Sequence, residues 1–441
     1  MSLSVSDTSV ITINWNGRHH LEALLPSLMP LTPGEVIVVD NGSTDDSVRW
    51  LQREFPQVRL IRNPQNRGFA EPNNVAAEVA QGSVLAFINN DMRCHADWLA
   101  GGLDALGTSA CVASRILDWE GRHVDFNGSS LQYLGYAQQK DIGRVVEEVT
   151  SQDRILFPCG GAMLIRKDDF LEIGGFDADF FAVFEDVDLG WRLWLTGREV
   201  RFCADSLCYH RGHGTFRAHS DAKLRYLMHR NALATIIKNY EDAQLRSILP
   251  LAVVLALKRA VRLTGVRREA FYLWADAELR SEAGDPVFRA EYEDALNHLV
   301  AVDDILDRLP GLMQQRRVIQ AHRKRSDREI IDLFGDPLRA IVEDPDYITA
   351  EAGLLEALGL ERLFDLDGYL SGAFEFPDRY PERVRRLRDE LKQLQWASSY
   401  AGQHPPVAKT GSRLRRFFDV WRDRGLAVAA RRAWEVIRRE D

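Results

Sequence analysis

Four apolar, β-branched runs alternate with helical patterns in the first quarter of the chain, and this alternation constrains the fold more than any other feature. The runs lie at residues 10–13, 36–39, 58–61 and 83–88. Helix-like periodicity fills the gaps between them, at residues 20–28, 45–54 and 74–80. Strands that alternate with helices in this way form parallel sheets with right-handed crossovers. We therefore predict a doubly wound, mostly parallel, Rossmann-like α/β domain.

Asparagine and aspartate residues follow each of these four runs. They include Asn14, Asn16, Asp40, Asn41, Asn66, Asn89, Asn90 and Asp91. Ligands of open α/β sheets bind beyond the carboxyl ends of the strands, so we expect a nucleotide-binding rim here. A carboxylate such as Asp91 directly after a buried strand is suited to hold a divalent cation on a diphosphate. The alternative is that these residues simply form turns, which Asn and Asp favour.

Two further groups of residues could carry chemistry. Glu185 and Asp186 follow several aromatic residues; they are either first-turn acids that a helix dipole favours or a desolvated general base. His210 and His213 lie in a glycine-rich stretch that follows the strand-like residues 200–202. We expect this stretch to be a loop. A single histidine is usually structural, but two in such a loop are candidates for metal ligation or phosphate contact.

Bulk properties exclude several classes of protein. The formal net charge of −9 argues against a large nucleic-acid footprint. The five cysteines form no CxxC pair, which argues against a disulfide framework or zinc site and favours a reducing cytosol. We see no signal peptide, and the longest apolar stretch, residues 248–257, is too short to span a bilayer. The absence of GxGxxG and GxxxxGK[ST] disfavours dinucleotide folds and P-loop ATPases.

The pattern becomes almost entirely helical in the second half of the chain. Short strand-like runs at residues 110–114, 153–157 and 162–165 flank a polar excursion at 118–152. Helices are predicted at residues 227–239, 245–263, 268–282, 286–309 and 314–334. Residues 402–411 are typical of a linker. We therefore predict three parts, at residues 1–240, 241–400 and 401–441.

The last part contains a basic amphipathic segment at residues 413–439, in which arginines alternate with apolar side chains. Such a segment can lie on an anionic membrane surface. It can equally pack on its own domain or on a partner chain.

A set of short motifs occurs in a fixed order along residues 8–240. It comprises Asn14-Trp15-Asn16-Gly17, residues 38–45, Asn66-Arg67-Gly68-Phe69-Ala70 with Asn73-Asn74, Asn89-Asn90-Asp91, residues 160–163, residues 174–177, residues 185–189 and His210. The set resembles the family 2 glycosyltransferases of the GT-A fold, close to their bacterial rhamnosyltransferase-like branch.

The resemblance implies a role for each matching residue. Asn14, Asn16, Asp40 and Asn41 would contact the base and ribose of a nucleotide diphosphate sugar. Asn66, Arg67, Asn74 and Asn90 belong to the same donor-binding set. Asp91 matches the last residue of a DxD-like motif that binds Mg²⁺ or Mn²⁺, and His210 would complete the metal site. Asp186 matches the catalytic base, with Glu185 as its neighbour and substitute.

The implied enzyme is a cytosolic, inverting, metal-dependent glycosyltransferase, with a helical region for acceptor binding, dimerisation or docking on the inner face of the membrane. The implied donor is dTDP-rhamnose, with UDP-hexoses as the alternative, and the acceptor is a bacterial surface glycan or its lipid carrier. Asn89 replaces the first carboxylate of the DxD motif, so the metal would have one carboxylate.

Two alternative functions are less consistent with the sequence. A nucleotidyltransferase would need a glycine-rich loop with Lys or Arg after the first strand, which Asn14-Trp15-Asn16-Gly17 does not supply. A non-catalytic nucleotide-sugar binding module would keep the rim but lose the acids, whereas Glu185, Asp186 and Asp91 are all present.

Overall fold

The computed structural model describes residues 3–212, 221–263, 293–335, 337–342, 344–358 and 360. The chain divides into two compact units, residues 1–339 and residues 340–441. The first unit contains a large sheet and most of the described helices. Within the second, the structure describes one helix, Pro345–Ala357. The domain boundaries that we placed at residues 240 and 400 stay a prediction.

The predicted parallel half of the sheet is confirmed. Its strands are β1 (Thr8–Asn14), β2 (Glu35–Asn41), β3 (Arg59–Asn63) and β4 (Val84–Ile88). They pair in parallel in the order β3-β2-β1-β4. The connecting helices are α1 (Arg18–Leu28), α2 (Ser47–Glu54) and α3 (Ala70–Val79). β1 therefore lies where the strand order reverses, between β2 and β4.

The remaining strands extend the sheet beyond β4 as a mixed structure. They are β5 (Met92–Cys94), β6 (Cys111–Asp118), β7 (Val124–Phe126), β8 (Ser129–Leu131), β9 (Ala137–Gln139), β10 (Ala162–Arg166) and β11 (Val200–His210). The order continues β4-β10-β6-β11-β5, with β7 paired to β6, while β8 and β9 form a separate hairpin. β10 is antiparallel to both neighbours, and β11 is parallel to β6.

Helices cover the sheet and continue beyond it. They are α4 (Trp98–Leu106), α5 (Lys167–Glu172), α6 (Glu185–Leu195), α7 (Asp221–Asn239), α8 (Asp242–Leu263), α9 (Glu293–Ala321) and α10 (Asp327–Ile331). α7 packs against α9, α8 and α6. Within the described residues, no helix combines the length and the apolarity that crossing a bilayer requires.

An aromatic cluster joins the end of β4 to the segment that precedes α6. The ring centroids of Phe87, Phe170 and Phe176 lie 5.1–5.3 Å apart. All three side chains are at most 1% exposed. Because aromatic pairs at this spacing add to the free energy of burial, the cluster fixes the carboxyl end of β4 relative to that segment.

Three expectations about local structure were wrong. Residues 153–157 form no strand; Arg154 makes an isolated bridge to Arg201, and Pro158, which follows, lacks the N–H group that a ladder needs. The predicted helices at 286–309 and 314–334 are instead α9 through Ala321, with Pro310 inside it, and the short α10. His210 is the last residue of β11 and not part of a loop.

Several predictions lie outside the described residues. They concern His213, the helix at 268–282, the linker at 402–411 and the basic segment at 413–439.

Candidate active site

A cavity of about 800 Å³ opens at the carboxyl ends of β1, β2 and β4. It extends past the start of α6 to β9 and to the first turns of α7. Its position beside the strand at which the order reverses is where open α/β sheets bind ligands. The predicted site residues that line it are Asn41, Asn66, Asn90, Asp91, Glu185, Asp186 and His210.

Asn41 organises the cavity wall at the carboxyl end of β2. Its side-chain amide donates to Asn66 Oδ1 at 3.0 Å and to the Gly68 carbonyl at 2.8 Å. Its own Oδ1 accepts from Asn63 Nδ2 and from the Arg67 N–H, each at 3.1 Å. The side chain of Asn41 thus ties the end of β2 to residues 63–68 and holds Asn66 at the cavity wall.

Asn14, Asn16 and Asp40 support the loops beneath this wall and do not line the cavity. Asn14 Nδ2 lies 3.3 and 3.1 Å from the Oγ atoms of two serines after β2, and Asn14 Oδ1 accepts from Asn90 Nδ2 at 3.1 Å. Asn16 Oδ1 accepts from the Thr44 N–H at 2.7 Å. Asp40 is 3% exposed, and its Oδ2 accepts from a backbone N–H in the loop after β2.

Arg67 and Asn74 also lie away from the cavity lining. Arg67 forms an exposed ion pair with Glu71, one turn further along the chain. Asn74 holds Phe176 by its backbone: Nδ2 donates to the Phe176 carbonyl at 2.7 Å, and Oδ1 accepts from the Phe176 N–H at 2.9 Å. In this structure the two side chains contact the protein itself, and a donor contact by either stays a prediction.

Asp91 and His210 meet at the cavity wall. His210 Nε2 lies 3.3 Å from Asp91 Oδ2, and His210 Nδ1 forms a short hydrogen bond to Oδ2 of Asp125. Asp125 lies in the middle of β7 and lines the cavity, but sequence reasoning missed it. It belongs to a three-residue strand within a polar excursion, where neither periodicity nor spacing marks it.

The pKa values of His210 and Asp91 depend on each other. Burial lowers the pKa of His210, but hydrogen bonds to Asp125 and Asp91 outweigh burial and raise that pKa to about 10. Burial raises the pKa of Asp91, but the hydrogen bond and charge of His210 bring it below its ordinary value. A protonated His210 therefore lies between two carboxylates when no cation is bound.

The donor atoms at this wall fit a divalent cation held jointly with a substrate. Asp91 is 6% exposed, and its Oδ1 has no hydrogen-bond partner among the described residues. No group of three His, Cys, Asp or Glu side chains in the described part of the chain is arranged to hold a metal ion alone. Mg²⁺ commonly takes one or two carboxylates from the protein and the rest from substrate phosphates and water, a pattern that the carboxylate of Asp91 fits. Ligation by His210 stays a prediction.

The acid pair, Glu185 and Asp186, starts α6 and also lines the cavity. Asp186 is half-buried, and its two carboxylate oxygens accept from the N–H groups of Gly160 and Val187, each at 2.8 Å. Glu185 is 6% exposed, and its Oε2 has no partner among the described residues. Of the two carboxylates, that of Asp186 is the better held and the more accessible.

The pKa shifts of Glu185 and Asp186 indicate which of the two carboxyl groups is ionised. Burial, and then the charge of Asp186, raise the pKa of Glu185 well above its ordinary value. Burial also raises the pKa of Asp186, but the N–H groups of Gly160 and Val187 counter part of the rise. Because two adjacent carboxylates resist double ionisation, the arrangement favours a neutral Glu185 beside an ionised Asp186.

Comparison with known families accounts for this combination of residues. The model described as glycosyl transferase family 2 matches residues 9–174, and that of glycosyl transferase family group 2 matches residues 118–275. The matched part of the chain is a family 2 glycosyltransferase domain. In this glycosyltransferase a parallel βαβ half is joined to a mixed half, as in the GT-A fold predicted from the sequence, and Glu185 and Asp186 begin α6.

Curated relatives are similar to part of the chain. The N-acetylglucosaminyl-diphospho-decaprenol L-rhamnosyltransferase of Mycobacterium tuberculosis is 27% identical over 241 residues, which cover 47% of this chain and 77% of the relative. The glucosyl-dolichyl phosphate glucuronosyltransferase of Haloferax volcanii is 27% identical over 154 residues, covering 33% of this chain and 47% of the relative.

Among solved structures, S. aureus TarS 1-349 in complex with UDP-GlcNAc is 19% identical, with a TM-score of 0.41, and covers 74% of this chain and 89% of that one. At this low TM-score the match carries no argument.

Proposed function

We propose that this glycosyltransferase moves a sugar from a nucleotide diphosphate sugar to a glycan or lipid-linked glycan with inversion, and that Asp186 is the general base. The observation that carries the proposal is that Asp186 shares one cavity with Asn66 and Asp91. The base and the donor-binding wall therefore face the same space, where an acceptor hydroxyl and an anomeric carbon can meet.

Each residue has a defined task in a single displacement. Asp186 takes the proton of the acceptor hydroxyl as the oxygen attacks the anomeric carbon from the face opposite the leaving group. The bond to the nucleotide diphosphate breaks as the new glycosidic bond forms, so the anomeric configuration inverts. Bound Mg²⁺ or Mn²⁺ supplies neutralisation of charge on the departing diphosphate, and Asp91 and His210 are the residues that would hold it.

The proposed donor is dTDP-rhamnose, with a UDP-hexose as the alternative. Support comes from the mycobacterial relative, whose name specifies L-rhamnosyl transfer. The names of that relative and of the archaeal one specify a decaprenol diphosphate and a dolichyl phosphate, which supports a lipid-linked acceptor.

The test combines donor binding with transfer. Calorimetric titration of nucleotides and nucleotide sugars, with and without Mn²⁺, identifies the donor, and transfer is then measured with that donor and lipid-linked glycan acceptors. Asp186→Asn should lower kcat by about 10²–10⁴-fold, the usual contribution of a general base, while the donor Kd stays unchanged. The control is Asp168→Asn, which removes an exposed carboxylate on α5. Full transfer by Asp186→Asn, or no donor binding by the folded protein, would contradict the proposal.

A further inference from the structure

The backbone directly before the acid pair has an unusual conformation. Phe181, Val183 and Phe184 have φ angles of +65°, +62° and +69°, in the left-handed region. A β-branched residue such as Val183 is a genuine outlier there. Conformations of this kind persist only where the surrounding structure enforces them. Residues 181–184, here called the catalytic loop, must therefore be held by neighbours.

The amide of Asn231 on α7 provides much of that hold. Asn231 is fully buried, and its Nδ2 donates to the carbonyl oxygens of Val183 at 2.7 Å, Ala182 at 2.9 Å and Phe180 at 3.2 Å. One side-chain amino group thus contacts three carbonyls in four consecutive residues. These carbonyls can converge on one point only because the chain turns in the left-handed region.

Arg230 completes the hold and orients Asn231. Its Nε donates to Asn231 Oδ1 at 2.9 Å, which leaves Nδ2 of Asn231 to face the loop carbonyls. Its Nη2 donates to the carbonyls of Phe180 at 2.8 Å and of Asp179 at 3.0 Å. The two adjacent residues of α7 therefore bind backbone atoms from residue 179 to residue 183.

The other side of the catalytic loop is fixed by the backbone at the start of α3. The carbonyl oxygen of Phe181 accepts from the N–H of Phe69 at 2.6 Å and from that of Ala70, at the start of α3, at 3.3 Å. The loop thus lies between α3 and α7. The acids begin at the residue after Phe184, so the loop determines where their carboxylates stand.

We infer that Arg230 and Asn231 are positioning residues that hold the catalytic loop so that Asp186 faces the cavity. Neither residue lines the cavity, so each acts through the backbone of the loop and not on substrate. The inference rests on the proposed role of Asp186 as base. Its expected signature is a loss of kcat without a loss of donor binding.

The experiment uses the full chain with Asn231→Leu, which keeps the size of the side chain but removes its donors, and with the milder Arg230→Lys. A misplacement of about 1 Å can cost about 10²-fold in rate, so we expect kcat of Asn231→Leu to fall about 10–100-fold while the donor Kd is unchanged. The matched control is Ser206→Ala. Ser206 is also fully buried and bonds to Ser114 Oγ at 2.8 Å and to the Trp98 carbonyl at 2.9 Å, away from the cavity.

Hydrogen exchange provides a readout that needs no transfer assay. Amides of residues 181–187 should lose protection in Asn231→Leu and, to a smaller extent, in Arg230→Lys, but not in Ser206→Ala. Unchanged protection of these amides would overturn the inference, as would a donor Kd that weakens as much as kcat falls. If Asp186→Asn transfers sugar normally, the proposed function fails. If Asp186→Asn is inactive but both α7 variants keep the protection and kcat of the parent chain, the inference alone fails.

Discussion

Replacing Asp125 should weaken divalent-cation binding, although Asp125 is not proposed as a ligand. For His210 to bind a cation through Nε2, its Nδ1 must keep a proton, and Asp125 accepts that proton in a hydrogen bond. The side chains of Asp125 and His210 are only 26% and 19% exposed, so water is a poor substitute for the carboxylate as the partner of Nδ1. Carboxylates that orient histidine ligands in this way contribute about 10–100-fold to metal affinity.

The magnitude depends on the replacement. Asp125→Asn keeps an acceptor oxygen but loses the charge-assisted part of the bond, so we expect about a tenfold weaker Kd for Mn²⁺, or about 1.4 kcal/mol. Asp125→Ala leaves Nδ1 without its partner, so we expect a loss nearer 100-fold, or about 2.8 kcal/mol.

The assay is a Mn²⁺ titration followed by electron paramagnetic resonance, in the presence of the nucleotide diphosphate that binds best. Asp118→Asn is the matched control, because Asp118 pairs with His123 Nδ1 at 2.7 Å in the same part of the fold but does not line the cavity. If Asp91→Ala abolishes Mn²⁺ binding while Asp125→Asn leaves the affinity unchanged, the proposed orienting role of Asp125 is refuted.

Two further predictions concern pH and the core. His210 is protonated below its pKa of about 10 in the metal-free protein, so a bound cation must displace that proton, and Mn²⁺ affinity should rise with pH up to about 10. Calorimetry in buffers of different ionisation enthalpy should detect the released proton; affinity independent of pH would contradict this assignment. Phe87→Ala should lower the free energy of unfolding by about 3–5 kcal/mol in chemical denaturation, because it empties a fully buried aromatic cluster. Val75→Ala, at a side chain that is 39% exposed, is the control, and a similar loss there would argue against the cluster as the cause.

The parallel half of the sheet was predictable because three of its four strands, β1, β2 and β4, are buried and contain continuous apolar runs. β1, β2 and β4 are buried on both faces, and such burial selects for continuous apolar sequence. β7 and β9 have three residues each, too few for any period to show. Asp125, which belongs to β7, was missed for this reason.

The candidate site was predictable in position but only partly in detail. Asp91 and Asp186 reach the cavity as expected. Asn74 and Asn16, which are equally polar and close to strand ends, instead bind backbone groups of their own chain. An amide can satisfy a loop or a ligand with the same atoms, so residue type alone does not separate the two uses. Asn231 was missed because the partners of its amide group lie about 50 residues away in the chain, at Phe180, Ala182 and Val183.

The close approach between Gly68 and the catalytic loop also limits which sequences this backbone can accept. Gly68 has φ +80°, and a Cβ placed on it would lie 2.3 Å from the carbonyl oxygen of Phe181. That oxygen is backbone and already accepts two N–H groups, so it cannot move aside as a flexible side chain would. By contrast, a Cβ on Gly161 would meet the terminal methyl of Met92 at 2.9 Å, which can rotate away. In a library of variants selected for any donor sugar, substitutions should be recovered at position 161 long before they are recovered at position 68.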